Sequence, residues 1–202
     1  MSTQFYIVKG FLEGKGSNLA GLEDFEKELR ARYPGCVVHE FTQDKFDVVP
    51  IDTNTNPVVF ISNSWGSAAC YRWLDKHPQQ TVPLLVCLDP VPNGFVEPRQ
   101  DTKIEWRRRP NAGWVLSFRE QDSIVAGNPQ RPDDQQTFTG FRDDGNRFTQ
   151  YEYGRRTEVV LDKDSGIFGH FAAHFEIASK HPWVKRLIHE RIERAIEGWV
   201  QA

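Results

Sequence analysis

Five consecutive residues, Ser62-Asn63-Ser64-Trp65-Gly66, have the types and spacing for nucleophilic chemistry. They follow the apolar run Val58-Val59-Phe60-Ile61 and lead straight into Ser67-Ala68-Ala69, so a strand is expected to pass through a tight turn into the start of a helix. Such an element, usually written G-x-S-x-G, is a nucleophile elbow. The turn exposes the serine oxygen at the helix N-terminus, where backbone N–H groups and the helix dipole stabilise developing negative charge. Small residues on both sides let strand and helix approach closely. Here Ser62 stands where glycine is usual, which still keeps a small side chain. The plainer reading of Ser64 is a helix cap, a common task for serine.

A serine hydroxyl is a weak nucleophile at neutral pH and needs a base, which in turn needs an orienting carboxylate. Leu85-Val86-Cys87-Leu88-Asp89-Pro90 places Asp89 at the end of the next apolar run, and Asp122 lies just beyond the run Trp114–Phe118. His170 and His174 come later, so the chain order is Ser, Asp, His. Histidines four apart also share a helix face and could bind a metal. A hydrolytic zinc site would want a third ligand and a placed base, and there is no H-E-x-x-H pattern, so no metal is expected. An aspartate before proline also suits a turn, and Asp122 before Ser123 could cap one.

These pieces together resemble a small α/β-hydrolase of the lipase, esterase and thioesterase type, over nearly the whole chain. The resemblance rests on Tyr6-Ile7-Val8-Lys9-Gly10-Phe11, the elbow around Ser64, Leu84 to Pro90, and His174-Phe175-Glu176-Ile177 followed by His181-Pro182-Trp183-Val184. It implies Ser64 as nucleophile and His174 as general base, with the backbone N–H groups of Phe11 and Trp65 as the oxyanion hole. It leaves two candidates for the acid: Asp89, which matches the Asp-Pro of compact relatives, and Asp122, where the broader superfamily keeps its carboxylate. It also implies a shortened member of the fold, starting at the strand that carries the oxyanion loop. The Trp65 side chain, following the nucleophile, would stand near the substrate.

Elements to position these residues are readable from hydropathy. Short apolar runs alternate with amphipathic stretches, the pattern of an α/β fold with a central, mainly parallel sheet flanked by helices. Strands are expected at Phe5–Val8, Cys36–Phe41, Val58–Ile61, Leu84–Leu88, Trp114–Phe118 and Thr157–Leu161. One helix runs from a cap at Ser17 or Asn18 to about Arg32, with Leu19, Leu22, Phe25 and Leu29 on one face, and Pro34-Gly35 stops it. Another covers Ala68 to Leu74 and ends near His77-Pro78. From His181 onward Val184, Leu187, Ile188, Ile192, Ile196 and Trp199 make one apolar stripe. Residues 91–112, with the cluster Arg107-Arg108-Arg109, and residues 126–156, with a candidate hairpin around Asp143–Asn146, interrupt the rhythm and suit a lid or rim. The arginine run reads as a solvated loop, and His39, His77, His181 and His189 as surface or capping residues.

Composition sets the outer limits. With 202 residues, 39% of them hydrophobic, 26% charged and 12% aromatic, the chain suits a single globular domain over 1–202 and not a disordered or fibrous class. Lysine and arginine total 25 against 28 acidic residues, a net charge of −3, which argues against nucleic-acid binding. The apolar runs are too short to span a bilayer, and no secretory signal is expected. Cys36, Cys70 and Cys87 are an odd number at no metal-like spacing, which suits free thiols in a cytoplasmic protein. The expectation is a serine hydrolase that cleaves a carboxylic ester or thioester through an acyl-enzyme, with no cofactor. The alternative is a catalytically inactive hydrolase-fold protein acting as a binding or interaction module.

Overall fold

The computed structural model describes residues 2–10, 22–90, 104, 108–120, 148–153 and 182–201. Six strands form one sheet: β1 (Gln4–Lys9), β2 (Val37–Thr42), β3 (Val58–Asn63), β4 (Val82–Leu88), β5 (Ala112–Glu120) and β6 (Phe148–Tyr153). Their order is β2-β1-β3-β4-β5-β6 and every pairing is parallel. The chain is therefore of the α/β class.

β3 and β4 are buried at every residue, whereas β2, at the edge, is intermediate or exposed throughout. Continuous apolar runs make central strands because helices cover both faces of a parallel sheet. On one face α1 (Leu22–Arg32) and α4 (Pro182–Val200) pack on Phe5, Ile7, Val59, Ile61, Val86 and Leu116. On the other, α2 (Gln43–Phe46) and α3 (Trp65–Lys76) pack on Tyr6, Val8, Phe60, Leu85 and Val115. Full burial of each such side chain contributes about 1.5–3 kcal/mol. The two-sided covering follows from handedness. The step from β1 to β2 runs one way along the sheet and the step from β3 to β4 runs the other, so right-handed crossovers put their helices on opposite faces.

The sequence periodicity locates most elements. Leu22, Phe25 and Leu29 are the buried face of α1, and Gly35 (φ 81°) turns the chain after it. The α4 stripe buries Val184, Ile188, Ile192 and Ala195, with Leu187 and Ile196 against them.

Three expectations need correction. The stretch 126–156 read as a rim insertion contains a strand of the sheet, Phe148–Tyr153, while the strand expected at Thr157–Leu161 lies outside the described residues. Its Thr-x-Tyr-x-Tyr alternation suits an edge strand, a signal masked by the polar sequence around it. Arg109 is not solvated: it donates to Asp75 at 2.6 and 3.1 Å and lies 5.0 Å over the Tyr71 ring. His189 is 2% exposed, not a surface residue, because it faces α1 from the flank of the α4 stripe. No described helix is long and apolar enough to cross a membrane.

Candidate functional site

In a parallel sheet of this kind the ligand crevice opens outside the carboxyl ends of the strands, where neighbouring connections diverge. Here that place is between β1, whose chain leaves toward β2, and β3, whose chain leaves toward β4. β3 ends at Asn63 and α3 begins at Trp65, so Ser64 is the whole turn between them.

Ser64 has φ 52° and ψ −124°, and its side chain makes no capping hydrogen bond to α3. A capping serine has extended backbone and an oxygen aimed at the N2 or N3 amide. Ser64 has neither, so the capping reading fails at this residue. Its conformation costs a non-glycine residue about 1–3 kcal/mol and persists only where its surroundings enforce it.

The enforcing contacts are specific. Ser64 N donates to Leu88 O at 3.0 Å, which ties the turn to the end of β4. A Cβ on Gly66 would lie 2.1 Å from Val8 O and 2.8 Å from Val8 C, so only glycine lets the first turn of α3 rest on β1. A Cβ on Gly10 would lie 2.7 Å from Ser64 Cβ and 3.2 Å from its Oγ, so the end of β1 presses directly on the serine. Trp65, the first residue of α3, is 5% exposed, and the N–H groups of that first turn point out along the helix axis toward the end of the sheet.

Ser62 occupies the place of the usual first glycine without conflict. It is fully buried, its Oγ donates to Val86 O at 2.8 Å, and it lies 3.0 Å from Ser67 Oγ. The hydroxyl thus stitches β3 to β4 and α3. Two thiols lie close by. Burial pushes Cys87 up to about 12 and Cys70 well above the ordinary thiol value, so neither supplies a thiolate nucleophile near neutral pH.

Asp89 follows β4 directly, is fully buried, and has φ 44°; its N–H donates to Phe118 O at 2.7 Å. Ser64 is bonded to Leu88, so the elbow and Asp89 share one end of the sheet. Phe11, Asp122, His170 and His174 lie outside the described residues. Of the expected site, Ser64, Trp65 and Asp89 are thus brought together.

Two neighbours escaped the reading of the sequence. Lys9, the last residue of β1, is 1% exposed and pairs with Glu40 at 3.1 Å and Glu23 at 3.8 Å. A lysine ending an apolar strand just before glycine was the available signal. Gln43, at the start of α2, reaches the carbonyls of Lys9 and Gly10, and nothing local in the sequence marks it. A cavity of about 490 Å³ lined by Pro50, Ile51, Asp52, Asn54, His77 and Gln80 opens at the other end of the sheet, before β3 and β4, away from this turn. No group of three or more candidate metal ligands occurs among the described residues.

Comparison with protein-family models, with curated proteins and with solved structures returns no match, so the functional reading rests on the geometry of this turn.

Proposed function

We propose that the chain is a serine hydrolase of α/β-hydrolase type that cleaves a carboxylic ester or thioester through an acyl-enzyme on Ser64. The observation that carries this reading is the strained, non-capping backbone of Ser64 between β3 and α3, held by glycines that permit no side chain. Strain of this kind concentrates at functional sites because a merely structural turn would relax to an unstrained residue.

In the proposed reaction Ser64 Oγ attacks the acyl carbon while His174 takes its proton. The carbonyl oxygen becomes an oxyanion facing the N–H groups of Trp65 and Phe11. Collapse expels the alcohol or thiol, which leaves with the proton from His174. Water then repeats the sequence on the acyl-enzyme and frees the acid. Asp89 or Asp122 holds the imidazole tautomer; burial beside the elbow favours Asp89.

A fluorophosphonate probe tests the class. The wild-type chain is expected to label covalently, and Ser64→Ala to remain unlabelled. An unlabelled wild-type chain would leave the non-catalytic binding module as the reading. Among the acids, the correct Asp→Asn change lowers turnover by roughly 10⁴-fold through the wrong imidazole tautomer, and the other change does not.

A further inference from the structure

We propose that the cavity between the 50–54 segment and the turn after α3 is a binding site for a small organic ammonium ion, a protonated primary amine on a short apolar body. It encloses about 490 Å³, within the range of small-ligand sites, and is lined by Pro50, Ile51, Asp52, Asn54, His77 and Gln80. Ser64 precedes the first residue of α3 and His77 follows its last, so the 12 residues of the helix hold the two places about 18 Å apart. The cavity is therefore separate from the Ser64 crevice, and the inference does not rest on the hydrolase reading.

Both walls are held in place. Trp73 Nε1 donates to Val49 O at 2.9 Å, which ties the start of the 50–54 segment to α3. His77 stacks on Trp73 with ring centroids 4.3 Å apart. The buried amide of Asn111 reaches the carbonyls of Leu74, His77 and Gln80 at 3.0, 3.0 and 3.2 Å, so the turn that carries His77 and Gln80 is fastened to the start of β5.

The polar character of the lining is that of an acceptor. Trp73 O can only accept, so the hydrogen of its 2.8 Å contact with His77 sits on Nδ1, and the neutral ring keeps Nε2 as an acceptor. Gln80 Oε1 is buried with no hydrogen-bond partner among the described residues, so a donor brought to it faces no competing bond. Asp52 is a carboxylate. Thr55 Oγ1 donates to its Oδ2 at 2.5 Å and the Asn54 N–H to its Oδ1 at 2.9 Å, and these bonds hold the group below its ordinary 3.8. Each oxygen keeps a further lone pair. The C-terminal end of α3 adds the negative pole of the helix dipole. No lysine or arginine occurs among the described lining residues; Lys76 and Arg109, near this end of α3, are paired with Asp47 at 2.5 Å and Asp75 at 2.6 Å. An ammonium group brings three donors and a positive charge to this set, and Pro50 and Ile51 give its body an apolar wall. An anion would meet the Asp52 charge and the helix carbonyls instead.

Titration of the full chain with benzylammonium, benzyl alcohol and benzoate, followed by backbone amide chemical shifts, tests charge and place together. Benzylammonium is expected to bind saturably and about tenfold more tightly than benzyl alcohol, with shifts centred on residues 50–54 and 77–80, and benzoate to show no saturation. Asp52→Asn keeps the shape of an exposed side chain and removes its charge; it is expected to weaken benzylammonium about tenfold and to leave benzyl alcohol unchanged. His77→Phe keeps the stack on Trp73, removes the Nε2 acceptor, and is expected to weaken benzylammonium about threefold. Equal affinity for the three probes overturns the charge preference. A benzylammonium affinity that both variants leave unchanged, or shifts centred on residues 62–67, overturns the site, as does the absence of saturable shifts up to millimolar concentration. The reactivity of Ser64 is decided separately, by the fluorophosphonate probe.

Discussion

Gly66→Ala probes the closest approach in the structure. The added methyl would sit 2.1 Å from Val8 O, 2.8 Å from Val8 C and 3.2 Å from Lys9 C, all backbone atoms of a central strand. No rotamer change relieves such a clash. The start of α3 must move off β1 by about 1 Å to restore an ordinary contact, and Ser64, its immediate predecessor, moves with it. Overpacking of this kind costs about 1–3 kcal/mol, and backbone on both sides puts the expected value near the upper end. For a domain of this size each kcal/mol is worth about 2–4 °C, so the melting temperature should fall by roughly 6–12 °C. A 1 Å misplacement of the nucleophile should slow labelling at Ser64 by up to ~10²-fold. Gly198→Ala is the internal control. It lies near the end of α4 with nothing within 4 Å of its Cβ, and helix propensity predicts a gain of up to about 1 kcal/mol. Melting followed by circular dichroism, with labelling measured on the same samples, decides the matter. If Gly66→Ala melts with the wild type and labels at the same rate, the close seating of α3 on β1 is wrong, and so is the argument that it strains Ser64.

Ser64→Gly and Ser64→Ala should both abolish labelling, yet the glycine variant should be the more stable of the two by about 1–3 kcal/mol, because glycine accepts φ 52° without strain and alanine does not; equal melting temperatures would remove the strain argument. Stability should also depend on pH through His189, whose Nε2 lies 2.9 Å from Glu28 Oε1 and whose Nδ1 lies 3.0 Å from Tyr33 Oη. Burial holds this imidazole below its ordinary 6.5, outweighing the pull of Glu28, with Arg32 lowering it further and Glu193 opposing. Burial alone would raise Glu28, but hydrogen bonds from Lys185 and His189 bring it below its ordinary 4.5. As pH falls below 6.5 the unfolded chain takes up a proton that folded His189 refuses, so stability declines. The Glu28 contribution, present above 4.5, is lost further down as its folded carboxylate protonates, with the same sign. Urea melts across pH 8 to 4 should therefore show falling stability, and His189→Gln should flatten the upper part of the decline; a profile that rises on acidification through pH 6 would contradict the buried neutral imidazole.

Local pattern was sufficient for much of this protein. The continuous apolar runs at Val58–Ile61 and Leu84–Leu88 already specify strands covered on both faces, because only such strands can place every side chain in a core. The helical stripes of α1 and α4 follow from periodicity alone, and the elbow was visible because a strand, one serine and a small-residue helix are consecutive in the chain. Tertiary structure decided what no window of sequence contains. The order β2-β1-β3 sets Gly10, Gln43 and Ser64 around one strand end, although they come from three separate segments of the chain. The hydroxyl of Ser62, which stands where glycine is usual, is accommodated because β4 offers it the Val86 carbonyl and α3 the Ser67 hydroxyl. His189 is buried by the packing of α4 on α1, and Phe148–Tyr153 became a strand because β5 offered an open edge. Periodicity records which side of an element is apolar; it does not record which element will lie beside it, and the contacts that hold Ser64, with Gly10 and Leu88, are made between neighbours of that second kind.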